Sequence, residues 1–96
     1  MGRFNQLIHQ PARLRIMAAL TALGKGDELE FTALRKLLQL SDGNLGAHLL
    51  KLERAGYVRQ RKTFVRRKPC TYIRATAKGR AAFEEHVEAL RDVLGE

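Results

Sequence analysis

The chain has a single cysteine, Cys70, so no internal disulfide can staple it, which fits a reducing compartment. No apolar run approaches the ~18 residues that a membrane-spanning helix needs. The opening residues interleave Arg3, Gln6, His9 and Gln10 with apolar ones, unlike the core of a secretory leader. The expected location is therefore the cytoplasm. His9, His48 and His86 show no chelating spacing with one another or with Cys70, so no metal site and no cofactor is expected. There is no glycine-rich phosphate loop and no pair of isolated inward carboxylates. Ser41, Asp42 and His48 superficially suggest a triad. On one predicted helix, however, Ser41 and His48 are separated by roughly 10 Å along the axis and cannot share a hydrogen bond. No catalytic residue is assigned, and an enzyme is not expected.

The most informative deficit is of acid. Between positions 54 and 83 there is no Asp or Glu, while ten residues are Lys or Arg. The flanks are balanced or acidic, so this block carries most of the net charge of +8 and the pI near 10.4. A long stretch of one sign reads as a footprint for a polyanion, or as a solvated face kept for solubility. The 96 residues allow one domain, here taken as 1–96, with a modest core and little room for a deep substrate cavity.

The apolar pattern supplies the elements. Pro11 suits the first turn of a helix carrying Leu14, Ile16, Met17, Leu20 and Leu23, which Gly24 and Gly26 end. Leu29 to Phe31 reads as a short extended piece. Thr32 then caps a second short helix bearing Leu34, Leu37 and Leu38 on one face. Ser41 is the predicted N-cap of a third helix, with Leu40 and Leu45 at the two staple positions. Leu45, Leu49 and Leu52 form its buried stripe, and Gly56 stops it. Strands are predicted over Tyr57–Phe64 and Cys70–Ala75, with Val65 to Pro69 as the hairpin tip. Thr76 caps a last helix over 77–94. The order is helix, strand, helix, helix, strand, strand, helix. This is a mostly helical α+β fold, a winged helix-turn-helix with a three-helix core, a wing over 57–75 and a C-terminal helix.

In such a fold the second helix of the helix-turn-helix enters the major groove of DNA. The stripe of leucines assigns Asp42, Asn44, Ala47, His48 and Lys51 to the opposite face. Asn44 suits adenine, His48 can donate or accept, and Lys51 can reach phosphate or guanine. Ser41 can donate to a phosphate at the helix start. Each of these residues alone would be an ordinary surface residue or cap; together, beside a basic hairpin, they point to DNA. Arg66, Arg67 and Lys68 at the tip suit a minor groove or phosphates, with Arg61 on the strand leading to it. Such a tip also suits RNA or an acidic protein. Pro69 is expected to stiffen it. Gly43 and Gly46 weaken the third helix unless a duplex or the preceding helix comes close. The basic tip could make Cys70 a redox switch, although a plain strand residue is the commoner use of such a cysteine.

These residues resemble a family. The segment from Leu37 to Leu45, then His48-Leu49, Lys51-Leu52-Glu53 and Gly56-Tyr57-Val58, is similar to winged-helix transcriptional regulators related to the MarR and ArsR groups. The segments His9 to Arg13 and Thr76 to Arg80 extend the likeness over residues 7–94. Gly46 and Ala75 depart from the pattern, standing where a larger polar residue and a leucine are usual. The resemblance implies a sequence-specific double-stranded DNA-binding regulator, a homodimeric repressor with an effector unspecified. The alternative is a winged helix used as an RNA-binding or protein-interaction module. Surplus apolar residues support a dimer independently: Phe83, Val87, Leu90, Val93 and Leu94 on the last helix, and Phe4, Leu7 and Ile8 ahead of the first.

Overall fold

The computed structural model describes residues 2–95. Its elements are α1 (Gln6–His9), α2 (Pro11–Thr21), β1 (Leu29–Glu30), α3 (Phe31–Leu38), α4 (Asp42–Arg54), β2 (Val58–Val65), β3 (Lys68–Ala75) and α5 (Ala77–Leu94). The three strands form one antiparallel sheet in the order β1-β3-β2. This is the winged helix-turn-helix expected from the sequence.

Local chemistry explains most of the boundaries. Ser41 Oγ accepts from the Asn44 amide at 3.1 Å and caps α4. At the other end, the Tyr57 and Gly56 amides donate to the Leu52 and Glu53 carbonyls, both at 2.9 Å. Gly56 has φ +83°, so this is a Schellman stop that needs glycine. Thr76 Oγ1 accepts from the Gly79 amide at 2.9 Å and starts α5.

Other boundaries differ from the sequence reading. A one-turn helix, α1, precedes α2, capped by Asn5, whose Oδ1 accepts from the Ile8 amide at 3.0 Å. The helix α2 ends at Thr21, before Gly24 is reached. The N-cap of α3 is Glu30 and not Thr32: the Glu30 carboxylate accepts from the Thr32 amide at 3.3 Å. On α3, Leu34 and Leu38 are buried but Leu37 is 62% exposed. Residues four apart share a helix face; Leu37 is rotated ~100° from Leu38 and misses the core.

The hairpin is longer than expected. Val65 pairs with Lys68, so only Arg66 and Arg67 form the loop. Pro69 is a strand residue opposite Phe64 and not part of the tip. It lies three residues beyond the last β1 partner, Tyr72, so its missing N–H leaves no ladder bond to β1 unmade.

The core gathers Ile8 from α1, Ile16, Met17 and Leu20 from α2, Leu34 and Leu38 from α3, and Leu45, Leu49 and Leu52 from α4. Val58, Ile73 and Ala75 close it from the sheet. Ile8 is completely buried there, so it is unavailable to the subunit surface that the sequence assigned it.

Three arginines serve as helix ties. Arg80, counted above in the basic block, donates to the Thr21, Leu23 and Gly24 carbonyls at 2.9–3.1 Å, satisfying the end of α2. Arg15 donates to the Leu38 carbonyl at 3.0 Å at the end of α3. Arg13 Nε donates to the Leu7 carbonyl at 2.6 Å.

Two glycines make opposite predictions. A Cβ on Gly79 would collide with the backbone of Tyr57, whereas one on Gly46 would meet nothing within 4 Å. The crowding of Gly46 by the preceding helix, one of the two uses considered for it, is thereby removed. Gly79→Ala should destabilise by about 1–3 kcal/mol through overpacking against backbone. Gly46→Ala should stabilise by about 0.5–1 kcal/mol through helix propensity. Urea denaturation of both variants checks this; equal effects of one sign would contradict the packing described.

Candidate nucleic-acid interface

The face of α4 opposite its leucine stripe presents Asp42, Asn44, Ala47 and Lys51, all exposed, and His48, half-buried. Ser41, exposed at the helix start, uses its oxygen as a cap acceptor and keeps its O–H free to donate outward. Asp42 is committed elsewhere. Its carboxylate lies 2.9 Å from Arg35 Nε, an ion pair that spans the turn between α3 and α4. Asp42 is also in the first turn of α4, where an acid favours the helix dipole. An acid so placed stabilises the helix-turn-helix and adds no attraction for a polyanion.

His48 is the most constrained residue of this face. Its Nδ1 lies 3.2 Å from Arg13 Nη1 on α2. Burial, then the positive charges of Arg13 and Lys51, push its pKa below 6.5. The ring is therefore neutral at pH 7. No sequence signal marks Arg13 for this role, because the two residues lie 35 positions apart.

The wing tip is strained. Arg66 has φ +53° and Arg67 φ +65°. A two-residue hairpin of this hand normally uses Asn-Gly or Asp-Gly, because both positions are left-handed. Each arginine there costs about 1–2 kcal/mol relative to a relaxed backbone. Arg66, Arg67 and Lys68 are all exposed and make no ion pair or hydrogen bond among the described residues. Strain retained with free cations at a turn is the kind of outlier that points to a function.

The remaining hairpin charges divide by face. Side chains alternate, so Val58, Gln60, Lys62 and Phe64 share the face that continues from the core. Gln60 donates twice to α4: its amide to Glu53 Oε2 at 2.9 Å and its Nε2 to Glu53 Oε1 at 3.3 Å. Phe64, 72% exposed, therefore projects beyond α4 on the same side, next to the arginine tip. Sequence alternation starting from Val58 would have found it. Arg61 lies on the other face. Its guanidinium donates to Glu28 in three contacts of 2.8–3.2 Å and stacks 4.8 Å from the Tyr72 ring centre. The hydrogen bond from Arg61 holds the Glu28 carboxyl below its usual range, so the pair is ionised at neutral pH. Of the sequence-assigned cations, Arg61 alone is neutralised by a partner.

Cys70 is half-buried on β3 opposite Thr63. Among the described residues, no three His, Cys, Asp or Glu side chains are grouped to hold a metal ion.

The surplus apolar residues split likewise. Val93 and Leu94 are 78% and 72% exposed, and Phe4 44%. Val87 and Leu90 are half-buried, while Leu7 and Phe83 pack against the chain's own core. The N-terminal segment folds back on α5: the Asn5 amide donates to His86 Nδ1 at 3.0 Å. His86 Nε2 then lies 3.3 Å from His9 Nδ1, with Phe4 against both rings at 4.6–4.9 Å. Burial, then the proximity of His9, pushes the His86 pKa below 6.5.

Comparison with known proteins agrees with this geometry. A family model described as a winged helix DNA-binding domain matches residues 12–94. An uncharacterized protein of Methanocaldococcus jannaschii is 38% identical over 87 residues, covering 91% of this chain and 87% of its own. A transcriptional regulator homologue from Pyrococcus horikoshii has a structure similar at a TM-score of 0.84 and 30% identity, covering 95% of this chain and 87% of that one. NadR in complex with 4-hydroxyphenylacetate superimposes at a TM-score of 0.71 and 28% identity, covering 95% of this chain and 67% of NadR.

The Glu28–Arg61 pair yields a prediction. Glu28→Ala should free Arg61 for a phosphate and steepen the log–log salt dependence of duplex binding by about 0.9. Affinity measured across a salt series checks it; an unchanged slope would place Arg61 out of reach of the duplex.

Proposed function

The chain belongs to the winged helix DNA-binding domain family, and on that premise we propose that it is a sequence-specific, dimeric transcriptional repressor. The single observation that carries this reading is the pairing of two surfaces that face away from the core. One is the polar face of α4, with Ser41, Asn44, His48 and Lys51; the other is the strained tip of Arg66 and Arg67 with Lys68 beside it. The helix enters the major groove, where Asn44 and His48 meet base edges and Ser41 and Lys51 meet phosphates. The wing tip lies along the neighbouring minor groove, whose narrow A·T-rich stretches attract arginine. Residues 1–96 act as one such domain, by binding and without chemistry, where the genome is accessible, in the cytoplasm. Among the described residues no helix is long and apolar enough to cross a membrane.

Two protomers give the reading its range. The exposed Val93 and Leu94, with half-buried Val87 and Leu90 and the adjoining Phe4, make an apolar surface suited to a second copy of the chain. Phe83 and Leu7 sit at its edge and support it from the core side. A twofold dimer places two recognition helices about one helical turn of DNA apart. A dimer so seated covers its site and excludes other proteins from it, which is repression in its simplest physical form. Sedimentation at micromolar concentration should give twice the chain mass, and Leu90→Glu should give monomer; a wild-type monomer overturns the dimer.

The wing supplies the decisive measurement. Replacing Arg66, Arg67 and Lys68 together with alanine should flatten the salt slope by roughly two to three units per subunit. Specific and random duplexes should weaken together, and the fold should survive because the tip contributes nothing to the core. A folded triple mutant with an unchanged slope shows that the wing does not engage DNA. Stronger binding to duplex RNA than to duplex DNA, or no binding to either, overturns the reading as a whole.

A further inference from the structure

Arg13 and His48 meet across the interface of α2 and α4, and their chemistry fixes a proton. The Nη1 to Nδ1 distance is 3.2 Å. A guanidinium carries only donors and remains charged at any physiological pH. The contact is a hydrogen bond only if Nδ1 of His48 offers a lone pair. A neutral imidazole has one N–H, so that proton must sit on Nε2. Arg13 cannot swing away freely, because its Nε is held by the Leu7 carbonyl. Nε2 of His48 has no hydrogen-bond partner among the described residues. The ring stands between exposed Asn44 and Lys51, one turn apart on either side.

We propose that Arg13 is a positioning residue for DNA recognition, fixing His48 as a pure hydrogen-bond donor whose Nε2–H selects an acceptor edge in the major groove. The inference rests on the reading of α4 as the recognition helix and goes beyond it by stating which bases His48 accepts. A free histidine can donate or accept by changing tautomer, and so tolerates any base. A donor-only histidine favours guanine, whose N7 and O6 both accept, and tolerates the O4 of thymine. It opposes cytosine, which presents its N4 amino group as a second donor. The lowered basicity of the ring keeps the donor neutral and single at pH 7. Arg13 thus acts on specificity without touching the duplex.

The tautomer is measurable in the free protein. Long-range 15N–1H correlation at pH 7.5 should show Nε2 protonated and Nδ1 bare in His48. Arg13→Lys, which also only donates, should preserve that signature. Arg13→Gln, which can accept through its amide oxygen, should mix the tautomers. Selection from a random duplex library by wild type should return one position per half-site where guanine is favoured and cytosine excluded by roughly 5- to 150-fold. His48→Ala should lose that preference, Arg13→Gln should weaken it, and Arg13→Lys should retain it, with the other positions unchanged in each. An Nδ1-protonated or charged ring in the wild type overturns the proposal outright, whatever the DNA results. A normal tautomer with a position that Arg13→Gln leaves intact overturns the role in specificity. Failure of the wild type to select any sequence instead overturns the reading of α4, while leaving the tautomer assignment standing.

Discussion

The backbone at Gly56 and Tyr57 joins three functional parts of the molecule in two residues. Gly56 ends α4 in a left-handed conformation, and its carbonyl accepts from Thr76 Oγ1 at 2.6 Å. The Tyr57 carbonyl accepts from the Thr76 amide at 3.0 Å, while Gly79, one turn into α5, leaves room for that carbonyl. Beyond the backbone, the Tyr57 hydroxyl accepts from Asn5 Nδ2 at 2.9 Å and Lys78 lies 5.7 Å from its ring centre. The end of α4, the root of the wing and the start of α5 therefore share one hydrogen-bonded knot. The angle between α4 and the wing is set there.

Around that knot the basic residues divide into ties and contacts. Arg80, Arg15 and Arg13 are spent on carbonyls at helix ends, where a planar group with five donors satisfies acceptors that the helix cannot. Arg35 bridges to Asp42 and Arg61 to Glu28. Between positions 54 and 83, Arg61 and Arg80 are held in this way, while Arg66, Arg67 and Lys68 at the hairpin tip are exposed with their side chains unpaired among the described residues. Two of the ten charges in that block, Arg61 and Arg80, are therefore spent inside the protein. The left-handed arginines belong to the same account: a glycine would relax the turn but remove a charge from its apex.

The N-terminal segment is likewise bound closely to its own chain. Asn5 caps α1, donates its amide to His86 and donates its side chain to Tyr57. The buried His86 must stay neutral to accept from that amide, and burial lowers its basicity accordingly. On these two segments the apolar residues left exposed are Val93 and Leu94 at the end of α5 and Phe4 ahead of α1.

Element order from α2 onward, the caps of α4 and α5 and the leucine stripe of α4 were legible in the sequence because each depends on residues within a turn or two. Ser41, Thr76 and Gly56 act on backbone groups only one to four positions away. The exposed face of α4 followed from the same periodicity, as did the basic hairpin. The sequence also determined the density of positive charge between positions 54 and 83. What it could not determine was which of those charges remain free, since Arg80 meets α2 and Arg61 meets Glu28 across 33 or more positions. Burial of Ile8 and the proton on His48 were decided the same way. Each depends on a neighbour brought by packing, and contacts at that separation leave no period or spacing in the chain to be read.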